Sequence, residues 1–327
     1  MAHKTRELEQ AEQAMEAYLA DLQAIVNIDS GTYTLAGINR VGAYLAERFQ
    51  NWGFSTRFDE QTSYGNHLIA TRQGRNPTGP RLLFIGHIDT VFSEGEAARR
   101  PFALSERDGK RIATGPGVLD MKSGVLLGMY ALHLLIEAGE DVYRSVTFLC
   151  NSDEEIGSPS SKPLIRELAP QHDAVLVFEP GRKEHTVVSA RKGSGRYKVE
   201  VWGRSAHAGV EPHLGRNAIL ELASQVQKIH ALNGTIPGVT LSVGIIRGGE
   251  RTNVVPDYAC CELDVRAADQ AGIQAVEKAL HEVTTQHILS DTRIVLSGDM
   301  GCQPFERNAQ NEPLIALVKA AGADLGL

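Results

Sequence analysis

The sequence predicts an α/β protein built on a mixed, mainly parallel sheet with helices on both faces, followed by a βαββαβ unit of the ferredoxin-like kind. Two observations predict it. Helical and strand patterns alternate through residues 1–190, as they do where helices cover both faces of one sheet. Near residue 190 the order changes to strand, helix, strand, strand, helix, strand, which is the order of the ferredoxin-like motif. The length of 327 residues fits about two domains at roughly 150 residues each.

The elements follow in chain order. Leu8, Ala11, Met15, Leu19 and Leu22 recur at helical spacing and predict an amphipathic helix over 5–26. Similar spacing predicts helices over 35–52, 122–138 and 159–168. Short apolar runs predict strands near 54–59, 66–72, 81–86, 145–151 and 174–178. In the second region, strands are expected over 196–203, 239–247, 257–266 and 292–297, and helices over 217–232 and 270–287. Residues 313–323 read as a last helix.

Composition narrows the function classes. A net charge of −7 gives no reason to expect nucleic acid or an anionic membrane as a partner. No apolar run of about 18 residues is visible, so no spanning helix is expected. The charged N-terminal stretch lacks a secretory pattern, and a cytoplasmic location is the expectation. The cysteines Cys150, Cys260, Cys261 and Cys302 have no metal-finger spacing and read as buried free thiols.

The most informative segment is Leu82-Leu83-Phe84-Ile85-Gly86-His87-Ile88-Asp89-Thr90. An apolar strand ends in an imidazole and, two residues on, a carboxylate. Residues i and i+2 of an extended chain share a face. Asp89 can then hold one ring nitrogen of His87 while the other binds a metal. Acidic residues stand at three further stations: Asp120 after the turn Gly115-Pro116-Gly117, Glu154-Glu155 after the run Val146–Asn151, and Glu179 after Ala174–Phe178. Ligands gather at the carboxyl ends of strands in such sheets. Any one of these acids is best read as a solvated loop residue. Taken together they place His87, Asp120, Glu155 and Glu179 along one rim, a donor set suited to zinc, with cobalt or manganese as alternatives.

These motifs resemble those of the dinuclear zinc hydrolases that include acetylornithine deacetylase, succinyl-diaminopimelate desuccinylase, aminoacylases and glutamate carboxypeptidases. The resemblance rests on Gly86–Thr90, Gly117–Gly124, Asp153–Ser158, Glu179-Pro180-Gly181, Gly203–Gly209, and Gly248-Gly249 through Thr252–Asp257 to Asp264-Val265-Arg266. It spans nearly the whole chain, in the family's order. Phe178–Arg182 and Arg191-Lys192-Gly193 look most like the glutamate carboxypeptidase branch.

The resemblance implies a catalytic domain over 1–190 and 300–327, with the βαββαβ unit over 191–299 inserted as a lid, or dimerisation, domain. It implies two zinc ions per full-length chain: His87 and Glu155 on one, Glu179 on the other, and Asp120 bridging them. Glu154 is implied as the general base and Asp89 as the support of His87. His207 of a partner subunit would stabilise the tetrahedral oxyanion, while Asn253 and Arg266 would hold the substrate's carboxylate. A cis peptide bond is implied at Asp120-Met121, and a homodimer through residues near 205–235. The other histidines, His3, His67, His133, His172, His185, His213, His230, His281 and His287, lack such settings and read as surface or packing residues.

The expected substrate is a small peptide or an N-acyl amino acid, cleaved at an amide next to a free carboxylate. A glutamate-type carboxypeptidase leads, an N-acyl amino-acid deacylase is the alternative, and a non-catalytic ligand-binding relative is the third reading. The family also places a last metal-ligand histidine near its C-terminus. No histidine follows His287 here, and the expectation is a fragment of a longer protein.

Overall fold

In the computed structural model, which describes residues 2–181 and 186–326, the first unit carries helices α1 (Ala2–Val26) and α2 (Leu35–Asn51), then strands β1 (Ser55–Asp59), β2 (His67–Gln73) and β3 (Arg81–His87). A short α3 (Glu96–Arg99) and a hairpin of β4 (Ala103–Arg107) and β5 (Lys110–Thr114) follow, then α4 (Ser123–Ala138), β6 (Ser145–Asn151), α5 (Ser161–Leu168) and β7 (Ala174–Val177). The sheet order is β1-β2-β6-β3-β7. β3 pairs in parallel with β6 and β7, while β2 runs antiparallel to β6 and to β1. β3 and β6 are apolar on both faces because both faces are covered there. Phe84, Val146 and Phe148 pack with Leu22, Ile38, Leu45 and Val125 under α1, α2 and α4. Leu83, Ile85 and Leu149 pack with Leu168 under α5. Each fully buried side chain of this kind contributes about 1.5–3 kcal/mol.

Two sequence readings need correction. The hairpin β4–β5 was not expected, because its residues are largely exposed and give no apolar alternation. Its signal is the turn Asp108-Gly109, where both residues have positive φ, as a two-residue hairpin loop requires. Also, Val118–Ala138 has the length and a mean hydropathy of 1.3 that a membrane span needs. That stretch is broken at Asp120 and Met121, which are not helical, and α4 buries Val125, Leu126, Met129 and Leu132 in the core.

The second unit, Val187–Ala321, holds β8 (Gly193–Trp202), α6 (Ala218–Ala231), β9 (Thr240–Gly248), β10 (Tyr258–Ala267), α7 (Gln270–Thr284), β11 (Arg293–Cys302) and most of α8 (Glu312–Asp324). Its sheet order is β11-β8-β10-β9, with every pair antiparallel. That is the arrangement expected of a ferredoxin-like unit. Asn217 and Asp269 start its two helices by accepting hydrogen bonds from Leu220 N and Gly272 N, which satisfies otherwise unpaired donors. Contacts carry this unit past the expected return near residue 300, and only Gly322–Leu327 cluster with the first unit. The cause is a ribbon: β11 pairs with β8 as far as Cys302 opposite Ser194, and Arg191 and Phe305 then exchange backbone hydrogen bonds of 2.8 and 2.9 Å. Cys150, Cys260 and Cys261 are buried free thiols, whereas Cys302, at the end of β11, is exposed.

Candidate metal centre

β3 delivers His87 to the rim of its sheet, where the ring is only 1% exposed. Gly86 makes this possible, since a Cβ there would stand 2.7 Å from Val125 and 3.1 Å from Met121. His87 Nδ1 lies 3.0 Å from the main-chain oxygen of Asp89. A carbonyl only accepts, so Nδ1 carries a proton, and Nε2 is the nitrogen left facing the rim. The Asp89 carboxylate, expected to make this contact, stands slightly further off at 3.4 Å. It is fully buried and has other partners as well. It accepts from Thr32 Oγ1 at 2.7 Å, Glu154 N at 3.1 Å and Glu155 N at 3.3 Å. Asp89 therefore ties the end of β3 to the turn that carries both glutamates, and Thr32 is a supporting residue that the sequence reading missed.

Three carboxylates approach His87 Nε2: Asp120 at 3.0 Å, Glu179 at 3.7 Å and Glu154 at 3.9 Å. Asp120 reaches it from a wide turn that begins at Gly117, whose φ of +69° suits glycine. Lys122 N closes the turn on Gly117 O, and the Asp120-Met121 peptide bond is cis, as the resemblance implies. Glu154 and Glu155 occupy a single 3₁₀ turn, Glu154–Ile156. Three residues per turn point their side chains in different directions. Two triads of possible ligand atoms result, each within 4.8 Å: His87, Asp120 and Glu155, and His87, Glu154 and Glu179.

The electrostatics match a cation site. Burial alone would lower the pKa of His87. Asp89, Glu179 and Glu154 outweigh it and push the pKa up to about 10. Burial, with the charges of Asp120, Asp89 and Glu154, raises Glu155 to about 6 against the pull of His87. Four rim carboxylates around one imidazole make a donor set that fits a divalent metal.

The remaining expected residues lie in the second unit. His207 and Asn253 are brought together: Ala208 N donates to Asn253 O at 3.0 Å, and His207 bridges Val254. His207 is exposed, and its Nδ1 accepts from Gly209 N at 3.2 Å, which leaves Nε2 as the donor of the neutral ring. Arg266 is not brought to them. Gly203 N pairs with Asp257 O and Val255 N with Ala206 O, so His207 and Asn253 adjoin the Trp202–Tyr258 end of the ladder, while Arg266 sits opposite Ser194. That separation of eight strand residues is roughly 27 Å. Arg266 instead binds Asp264 at 2.8 Å. Arg182 and His185, and the side chain of His3, lie outside the described residues. His67, read as a surface or packing residue, is fully buried and hydrogen-bonded through both ring nitrogens.

Comparison with known proteins agrees with this geometry. Residues 189–292 match the peptidase dimerisation domain of M20 type. Residues 67–228 match peptidase family M28, a match that runs across the boundary between the two units. The chain is 31% identical over 318 residues to carboxypeptidase G2 of Pseudomonas sp. (strain RS-16), covering 95% of this chain and 75% of that protein. It is 30% identical over 259 residues to acetylornithine deacetylase of Proteus mirabilis (strain HI4320), covering 73% of this chain and 62% of that protein. Among solved structures, aminopeptidase PepT of Bacillus cereus ATCC 10987 superposes with a TM-score of 0.81 at 22% identity, over 95% of this chain and 82% of that one. The chain thus belongs to the family of metal-dependent peptidases and amidohydrolases that includes carboxypeptidase G2 and acetylornithine deacetylase, and is a metal-dependent hydrolase.

Proposed function

We propose that this protein is a glutamate-type carboxypeptidase, cleaving the amide bond that joins an acyl group or peptide to a C-terminal acidic amino acid. The observation that carries this reading is the reach of the similarity to carboxypeptidase G2, 95% of the chain against 73% for the deacetylase. The metal in this reading would be zinc, two ions per chain, and His87, Asp120, Glu155 and Glu179 would hold them. When bound, such a pair lowers the pKa of a water and polarises the amide carbonyl.

The protein's own residues do the rest. Asp89 holds the Glu154-Glu155 turn by its main-chain N–H groups, and the two side chains diverge from it, Glu155 beside His87 and Asp120, Glu154 beside His87 and Glu179. Glu154 takes a proton from the attacking water and returns it to the leaving amine. His207 of the partner subunit, with Nε2 as its donor, stabilises the oxyanion. Asn253, held beside it, binds the substrate's carboxylate, and Arg266 is a further candidate for that task.

In this reading the protein is a homodimer joined through the second unit. The support is the matched dimerisation domain and the position of β9, an edge strand of its sheet with Ile245 and Ile246 exposed. Such an edge is a template for pairing with another chain. The test is hydrolysis of a panel of N-acyl amino acids and dipeptides with zinc added. Preference for C-terminal glutamate or aspartate is the expected result. Preference for N-acetyl or N-succinyl basic amino acids would favour the deacylase reading, and no turnover with any of them would overturn both.

A further inference from the structure

We propose that His67 is a positioning residue of the hydrolytic centre, holding the Glu154-Glu155 turn from behind while Asp89 holds it from the front. This rests on the hydrolase reading of the rim. His67 opens β2 and is fully buried. Ser152 N–H donates to its Nδ1 at 3.2 Å. Nδ1 is then an acceptor, which puts the proton of the neutral ring on Nε2. Nε2 lies 3.1 Å from Ser160 Oγ, which donates to Asp153 Oδ2 at 2.7 Å.

Asp153 is itself fully buried. It also accepts from Ser160 N at 2.6 Å, Ser161 N at 3.1 Å and Ser161 Oγ at 2.6 Å. The Ser152 hydroxyl donates to Gly65 O. The main chain that carries Glu154 and Glu155 is therefore fixed at Ser152 by His67, at Asp153 by two serines, and at both glutamates by Asp89. His67 is where β2 enters this chain of contacts. Burial keeps the imidazole below its usual pKa against the pull of Asp153, Asp59 and Asp89, in keeping with a neutral ring in this role.

Three substitutions and one spectrum test this. His67→Phe removes both hydrogen bonds at similar volume. The expected result is a loss of about 10- to 100-fold in kcat and in zinc affinity of the metal-stripped protein, the range seen when supports of metal ligands are removed. KM should change little, since ground-state binding is not touched. His67→Asn, whose amide oxygen can replace Nδ1 as acceptor, should recover part of both. Ser160→Ala should cost about tenfold, the lower end of the same range. In nitrogen-15 spectra of the metal-stripped protein, His67 should show a bare Nδ1 and a protonated Nε2.

Wild-type kcat and zinc affinity in His67→Phe, with only a lower Tm, would make His67 a packing residue and overturn the proposal. The opposite tautomer would overturn it as well. If His67→Phe does not fold, Ser160→Ala decides, because it leaves the histidine in place. If the wild type itself hydrolyses nothing, the hydrolase reading fails, while zinc affinity and tautomer still decide the role of His67.

Discussion

The rim of the first unit and the loops of the second hold their polar side chains in opposite ways. His87 is 1% exposed, has Nδ1 on a carbonyl and Nε2 among three carboxylates, and the Glu154-Glu155 turn beside it is held by the buried carboxylate of Asp89. His207 and Asn253 are exposed, and Arg266 lies at the far end of the ladder with Asp264. The rim gathers one buried imidazole and several more exposed carboxylates within a single unit, a donor set that suits a divalent cation. The loops of the second unit gather no such donor set, and in the proposed reading they become a site when a ligand or another copy of the chain covers them. The two regions should therefore differ in how they fail.

The largest expected effect is on the rim. Stripping the metal with a chelator should abolish turnover, and zinc should restore it. In the stripped protein, His87 is held protonated to about pH 10, against 6.5 for a free ring. A raised pKa stabilises the fold fully below about pH 6.5, and this contribution is lost as pH rises through about 10. The Tm of the stripped protein should fall across that window, and zinc binding near pH 8 should release a proton, measurable by calorimetry in buffers of different ionisation enthalpy. A flat Tm and no released proton would mean that the carboxylates do not surround a charged ring.

Next comes Glu154→Gln, which keeps shape but cannot accept a proton. kcat should fall by at least about 100-fold with metal content retained by elemental analysis. Unchanged turnover would remove Glu154 from the mechanism. His207→Ala should cost about 100-fold in kcat, as for the loss of one oxyanion donor. Mixing the Glu154→Gln and His207→Ala proteins sharpens the comparison. If His207 serves the partner's site, mixed dimers regain activity that neither parent has. If no activity returns, or light scattering shows a monomer at micromolar concentration, the action across a dimer is lost.

The smallest effects belong to the carboxylate-binding candidates. Asn253→Ala should raise KM by about tenfold, the scale of one hydrogen bond to a charged group. Arg266→Ala should raise it less, because its guanidinium already has Asp264 and an exposed ion pair contributes little. A larger effect at Arg266 than at Asn253 would reverse their ranking.

Much of this was legible in the residues. Apolar runs ending in His87, Glu154-Glu155 and Glu179 placed the rim, because side chains at the ends of parallel strands meet there whatever the loops do. Asp120 was legible through the Gly-Pro-Gly turn before it. Thr32 and His67 were not, because they touch the site through residues 57 and 85 positions away, and no local pattern carries such a separation. The place of Arg266 in the sheet was hidden for the same reason. Its motif runs on from Asn253 in the chain, but an antiparallel strand carries it to the other end of the sheet.

By itself the sequence determined most of the helices and strands, which strand ends bear acids, and that one imidazole would stand among them. These are local consequences of period, turn chemistry and strand direction. Only the tertiary structure decided how the acids group around His87, which carboxylate holds the Glu154-Glu155 turn, and which tautomer each histidine adopts. Those outcomes depend on where distant backbone donors and acceptors fall once the core has closed, because a buried hydrogen bond is set by the partner that packing brings within about 3 Å.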